Sequence, residues 1–239
     1  MIGQPTEMRI MDLGRVQRAA VTLFATKGFA ATGIRELGAE AGINSATLYH
    51  YVGSKESLLA SIIRSCLDEL TQSGERAMRR SADPVVQLAG LVSSHVGITA
   101  VNQLTARVAE YEMRGLTGDN RIELQTLRDE YEQLFGQILE RGQRVGAFDI
   151  EDLALSRLAI LEMCTGVAHW YRPGGRLELE DVQRFFVSTT CKLLSVPSDE
   201  LHGVEFIHDV RKLDSEPETQ SSEIWGTTAQ SEFARQSEP

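Results

Sequence analysis

The sequence predicts an all-α protein, and three observations carry that prediction. Apolar residues recur at spacings of three and four along most of the chain, whereas alternation with period two is rare. The stretches are separated by short glycine- and proline-containing breaks such as Gly115 to Gly118, Gly142 to Asp149 and Arg172-Pro173-Gly174-Gly175. Helix-start signals precede several of them, among them Ser54 followed by Glu56, and Ser81-Ala82-Asp83-Pro84.

Taken in order, a first helix is expected from about Arg9 to Lys27. It has Val16, Ala19, Ala20, Leu23 and Phe24 on one stripe, and Gly28 closes it. Thr32 is read as the cap of a short helix carrying Ile34, Leu37 and Ala41 that ends at Gly42. A third short helix covers about Ser45 to Val52. Ser54 caps a fourth, with Leu58, Leu59, Ile62, Ile63 and Leu67 behind it, reaching about Arg80. Further helices are expected at 84–101, 103–115, 119–142, 151–171 and 178–195. The last two carry apolar residues on more than one stripe, for instance Leu155, Leu158 and Leu161 on one and Val182, Phe185 and Phe186 on the other. A surface helix needs only one apolar face. The surplus predicts an isologous dimer contact, with burial inside the monomer as the alternative.

With 239 residues and 42% apolar side chains, the chain can bury a sizeable core. The expected organisation is an N-terminal three-helix unit over residues 1–53, a helical body over 54–196 and a tail over 197–239. The tail is acidic, aperiodic and expected to be disordered. No run of about 18 apolar residues is evident, and the start lacks a secretory pattern, so a cytoplasmic location is expected. Cys66, Cys164 and Cys191 are too scattered for a disulfide framework or a zinc site and read as reduced core thiols. The net charge of −10 argues against strong non-specific binding to nucleic acid. It is unevenly spread, however: residues 196–239 hold ten acidic and three basic side chains, and residues 1–60 hold five and six. A near-neutral N-terminus permits DNA contact without proving it.

Two short helices meeting across Gly42, the second with small residues at its start, have the length and polarity of a helix-turn-helix. Small side chains there let the backbone approach base edges, and longer ones further on reach phosphates. The pattern Ala19-Ala20, Leu23-Phe24, Gly28-Phe29, Thr32, Ile34, Leu37, Ala41-Gly42-Ile43, Thr47-Leu48-Tyr49-His50-Tyr51, Ser54-Lys55-Glu56 and Leu58 resembles the signature of the tetracycline-repressor (TetR) superfamily. That resemblance implies an N-terminal DNA-binding domain and a C-terminal helical domain for ligand binding and dimerisation, acting as a repressor on operator DNA. It implies that Asn44, Ser45, Ala46 and Thr47 face bases or the nearby backbone. Thr32, Tyr49, His50 and Lys55 would hold phosphates, and Arg35 would reach either. Leu48 and Tyr51 are read as inward, Tyr49 as outward. Gly33 and Gly38 depart from a good helix-former pattern, since an interior glycine costs about 1 kcal/mol against alanine, and predict a less rigid second helix.

His169-Trp170-Tyr171-Arg172-Pro173-Gly174-Gly175, preceded by Gly142 to Phe148, resembles a subgroup of these regulators that controls lipid, sterol or aromatic catabolism. Members of that subgroup respond to acyl-coenzyme A thioesters, so an acyl-CoA effector is implied and no bound cofactor. The same turn has a plain structural reading as a joint between two helices. Arg107, Glu110, Tyr111 and Arg114 share one helix face at spacings 0, 3, 4 and 7. They form either a solvated face or a wall with arginines for coenzyme A phosphates. His95, Tyr131, Met163, His169 and Trp170 complete the expected effector set. Neither a glycine-rich phosphate loop, a nucleophile triad, metal-spaced ligands nor paired helix carboxylates are found, which argues against an enzyme. The remaining rival is a regulator of drug efflux that senses lipophilic compounds.

Overall fold

The structure, a computed structural model, describes residues 4–197 and 210–213, with side chains from residue 13 onward. Helices account for nearly all of it, and no strand occurs among the described residues. The order is α1 (Gln4–Lys27), α2 (Ile34–Ala41), α3 (Ser45–Val52), α4 (Lys55–Arg80), α5 (Pro84–Val101) and α6 (Gln103–Tyr111). A 3₁₀ turn at Met113–Gly115 leads to α7 (Gly118–Arg144), α8 (Leu153–Thr165), α9 (Val167–Trp170) and α10 (Leu179–Leu193).

Four helix starts use a side-chain acceptor, which satisfies one of the amide groups left free in a first turn. Asn44 accepts from the Thr47 amide at 2.9 Å and Ser54 from Ser57 at 2.9 Å. Asp83 accepts from Val85 at 2.8 Å and Asp152 from Leu155 at 3.0 Å. Pro84 occupies the first turn of α5, where its missing N–H costs nothing. Thr32 does not cap α2. Gly33 holds that position without a side-chain bond, and the Thr32 hydroxyl donates to the Gly28 carbonyl at 2.9 Å. The expected helix over 103–115 ends at Tyr111, and the one over 151–171 breaks at Gly166. The first helix begins five residues before Arg9.

Helix α5 lies at the centre and packs against α4, α7, α8 and α10. Its 18 residues are apolar enough to cross a membrane by composition, yet 78% of that window is buried inside the protein. It is a core helix, apolar on every side because every side is covered. The sequence expectation that no segment reaches this length and hydropathy is corrected accordingly.

The two glycines expected to loosen α2 sit in different settings. Gly33 lies at the N-cap, outside the helix. At Gly38 a Cβ would stand 2.8 Å from the Ile43 carbonyl oxygen, so the α2–α3 turn can only close on a bare residue. Gly42, at φ +71°, ends α2 in the left-handed region, where glycine avoids the Cβ penalty.

Most of the expected tail lies outside the described residues. Residues 210–213 are the exception: Leu213 is buried in the core, and Val210 packs against it. The expectation of disorder from residue 197 to the end therefore fails for this segment.

Gly38→Ala tests the close turn, because helix propensity and sterics pull in opposite directions. Propensity favours alanine by about 1 kcal/mol. The backbone clash costs about 1–3 kcal/mol. A lower melting temperature is expected, and an unchanged or raised one would contradict this account.

Candidate DNA interface and effector region

Helices α1 to α3 form a head with one core. Val16, Ala20, Phe24, Leu37, Ala41, Leu48 and Val52 are buried in it. Burying Leu48 and Val52 turns Ala46, Tyr49 and His50 outward, with Asn44 exposed at the start of the helix. Ser45, Thr47 and Tyr51 are half-buried. The outward face of α3 is thus small at its N-terminal end, where a reading helix approaches base edges, and aromatic at its C-terminal end. Tyr49 is 49% exposed, and Arg35 is exposed on the neighbouring helix.

Two of the expected phosphate contacts have other work. Thr32 is 2% exposed and its hydroxyl is spent on Gly28, so its side chain is a turn lock and not a surface donor. The Lys55 ammonium donates to the carbonyls of Phe29 and Thr32, both at 2.9 Å, and sits 4.2 Å over the Phe29 ring. A cation held by two carbonyls and an aromatic face fixes the α1–α2 turn to the start of α4, leaving one of its three donors for DNA. Asn44 likewise uses its carbonyl oxygen as a cap, so only its amide group is free to face bases.

The expected effector residues fall into separate groups. The first is interior. His95 of α5 is bonded to the Tyr131 hydroxyl of α7 at 2.8 Å and to the Thr165 hydroxyl at the end of α8 at 3.0 Å. Both ring nitrogens are engaged by hydroxyl groups, and full burial disfavours the charged imidazolium. Burial pushes its pKa down to about 4. The same burial pushes the Tyr131 phenol far above its ordinary value and the Cys66 thiol up to about 12, which makes that thiol inert.

The second group lies at the surface between α6 and α9. His169 Nε2 is 3.2 Å from a Glu110 carboxylate oxygen and 3.2 Å from the Tyr111 hydroxyl. Trp170 stacks on Phe186 of α10, with ring centroids 6.1 Å apart and planes at 16°. Arg114 is exposed on the 3₁₀ turn, beyond the end of the helix whose face it was expected to share. Met163 is half-buried on α8. Arg107 is also tied to the head: its guanidinium donates at 3.1 Å to the carbonyl of Ala25, in the last turn of α1. Nothing in the local sequence signals that contact, which depends on α6 crossing the end of α1.

Both turns of the distinctive C-terminal motif have structural explanations. Arg172-Pro173-Gly174-Gly175 closes with the Gly175 amide donating to the Arg172 carbonyl at 3.0 Å, and Gly174 has φ +70°. These are the marks of a type II turn. Gly142 has no room for a Cβ, which would stand 2.1 Å from the Phe148 ring, and its carbonyl accepts from the amides of Ala147 and Phe148. Open grooves of about 290 Å³ between α1 and α2, and about 250 Å³ between α7 and α8, are lined by none of the expected effector residues.

Residues 17–62 match the bacterial regulatory proteins of the tetR family, and residues 81–194 match the tetracyclin repressor-like C-terminal domain. PfmR of Thermus thermophilus, a TetR family transcriptional regulator of known structure, is 32% identical. It superposes with a TM-score of 0.67 over 76% of this chain and 98% of its own. The chain belongs to the TetR family. Its relatives include the HTH-type transcriptional repressor KstR2 of Rhodococcus jostii, 29% identical over 74% of this chain and 88% of that one. The fold is also that of AibR, solved in complex with isovaleryl coenzyme A and operator DNA. That structure is 21% identical, with a TM-score of 0.65 over 73% of this chain and 95% of its own. As a TetR-family protein the chain is a DNA-binding transcriptional repressor, not an enzyme, and its helix-turn-helix is α2 and α3.

The side-chain bonding makes two points testable. Lys55→Ala should lower the stability of the head by about 2 kcal/mol, since it removes charge-assisted bonds and a cation–aromatic contact. Denaturant melts followed by tyrosine fluorescence would read this, and a loss below a few tenths would mean that the turn does not depend on Lys55. For His95, the unfolded imidazole takes up a proton near its ordinary pKa of 6.5, while the folded one refuses it down to about 4. Unfolding is therefore coupled to proton uptake between those values. Stability should fall as pH drops through that window, by about 1.4 kcal/mol per unit, and this group adds no slope above it. His95→Gln should flatten the acid limb, as measured by urea midpoints from pH 7.5 to 4.5; an unaltered limb would assign the slope to other groups.

Proposed function

We propose that this repressor acts as a cytoplasmic homodimer released from a palindromic operator by an acyl-CoA thioester. In this reading residues 1–53 are the DNA-binding head and 54–196 the effector-binding and dimerisation body. The observation that carries the dimer is the exposed apolar surface on α8 and α10. Leu155, Leu158, Phe185 and Leu193 stand between 45% and 66% exposed. Large aliphatic and aromatic side chains grouped on two helices suit an isologous pair, in which the same patch meets itself. Val182 and Phe186, also on α10, are buried within the monomer and belong to its core.

A dimer must hold its two α3 helices about 34 Å apart to enter successive major grooves. Helix α4 is one link from head to body, tied to the α1–α2 turn by Lys55, and Arg107 of α6 is a second, on the end of α1. Glu56, in the first turn of α4, accepts from the Thr117 amide at 2.7 Å and fixes α4 to the start of α7 within the body. Glu110 and Tyr111 lie one turn along α6 from Arg107. A ligand engaging the His169 cluster would therefore act on the helix that grips the head. The acyl-CoA assignment is supported by the isovaleryl-CoA complex of AibR and by kinship with KstR2. Asn44, Ser45, Ala46, Thr47, Tyr49, His50, Lys55 and Arg35 are assigned to DNA. Glu110, Tyr111, Arg114, Met163, His169 and Trp170 are assigned to the effector, with His95 and Tyr131 behind them.

Phe185→Glu with Leu158→Glu should give monomers of native helicity by sedimentation, with operator binding lost. A stable dimer in that variant would refute the interface. Calorimetric titration of acyl-CoA thioesters with and without operator reads the switch. Reciprocity requires each ligand to weaken the other by the same factor. Release by a lipophilic compound, with no thioester bound, would replace this effector class with that of an efflux regulator.

A further inference from the structure

The described part of the C-terminal segment is bound by the rest of the chain much as a peptide is bound in a cleft. Asn102 ends α5 and is 2% exposed. Its side-chain amide accepts from the Leu213 amide at 2.6 Å and donates to the Arg211 carbonyl at 2.9 Å. One side chain thus pairs with the backbone of residues 211 and 213, as a neighbouring strand would. Gln17 of α1 donates to the Leu213 carbonyl at 3.3 Å. The Leu213 side chain is buried, and Val210 lies against the bare backbone of Gly97, where a Cβ would come within 3.2 Å of it. Gln17 belongs to the head, and Asn102 and Gly97 belong to the body.

We propose that residues 210–213 are a strap that locks the head to the body, so that an undocked strap loosens the head and weakens operator binding. The observations carry this beyond simple packing in three ways. The strap's backbone carbonyls and amide are met by side chains from two different units, so its binding depends on their relative placement. Asn102 and Gln17 are buried polar groups whose amides would lose these partners on release. Helix α1 is also gripped by Arg107, so the strap is a second, independent hold on the same element. A head with fewer holds samples more orientations. Only the fraction with correctly spaced reading helices binds the operator, and apparent affinity falls by that fraction. The functional half of the inference rests on the operator-binding reading above; the docking half does not.

The test compares chains ended after residue 213 and after residue 209, together with Leu213→Ala in the full chain, which leaves the charge unchanged. Hydrogen exchange of the α1 amides from residue 13 to 27 is measured without DNA, so a failure of operator recognition cannot be mistaken for a failure of the strap. The 209-ended chain and Leu213→Ala should exchange there roughly tenfold faster than the 213-ended chain, at unchanged overall helicity. They should bind operator about three- to tenfold more weakly. A synthetic peptide of residues 208–216 should restore both properties to the 209-ended chain, and the same peptide carrying Leu213→Ala should not. Equal exchange in the 209- and 213-ended chains would overturn the strap. Faster exchange with unchanged operator affinity would overturn its role in DNA binding.

Discussion

Helix α5 has no face to give to water, and the rest of the body is arranged around that constraint. Its apolar side chains are covered by α4, α7, α8 and α10, and any polar group on it must find a partner inside the protein. Three large polar residues, Gln87, His95 and Asn102, follow one another at intervals of eight and seven positions, close to one side of the helix. Each is used as a connector. Gln87 donates to the carbonyls of Met78 and Ser81 at the end of α4 and is bonded to Arg141 of α7. His95 joins α7 to α8, and Asn102 holds the C-terminal segment. The orientation of these neighbours is therefore specified by polar contacts, while apolar burial supplies the driving force without direction.

The same logic explains how the head is held. Apolar packing of α1 against α6 and α4 brings the units together, but it does not by itself choose one angle. Directional bonds at separate places narrow the choice: Lys55 to the α1–α2 turn, Arg107 to the end of α1, and Gln17 to Leu213. All end on backbone groups, whose positions are fixed by helix and turn geometry rather than by rotamers. An effector that moves α6 by a fraction of a turn acts on a bond of this kind, and a packed joint responds by repacking more readily than by bending.

Much of this fold is legible in the sequence because local signals agree. Asp83-Pro84 and the run behind it place helix α5 at its observed residues 84–101, and α3 and α4 follow from Gly42, Asn44 and Ser54. The misreadings share a cause, since each turns on a contact distant in sequence. Thr32 looks like a surface donor until Gly28 folds back on it, and the two bonds from Lys55 to the carbonyls of Phe29 and Thr32 have no signal in the local sequence. Arg107 shares a periodic face with Glu110 and Tyr111, but only the crossing of α1 shows that its guanidinium also holds the Ala25 carbonyl. Phe185 and Phe186 are neighbours of equal hydrophobicity, 66% and 7% exposed, and periodicity does not tell which one the monomer keeps. Residues 210–213 are hidden in an acidic composition that describes their neighbours. The Val210 and Leu213 pair is the available signal, and two apolar residues are too few to register as a pattern.

The charge distribution sets the last constraint on how such a protein binds DNA. The head is close to neutral, and two cations in or beside it are committed: Lys27 to Glu36, whose carboxyl is held below its ordinary pKa by that bond, and Lys55 at the start of α4 to two carbonyls. Counterion release, which supplies most of the affinity of strongly basic proteins, is correspondingly small for one head. In the proposed homodimer, affinity then comes from polar and aromatic contacts made by both α3 helices together. In such a dimer the second head adds its full effect only if it is already at the right distance when the first has landed. A weakly charged reader depends on the rigidity of the frame behind it more than a strongly charged one does. That dependence gives a physical reason for so many directional bonds between head and body.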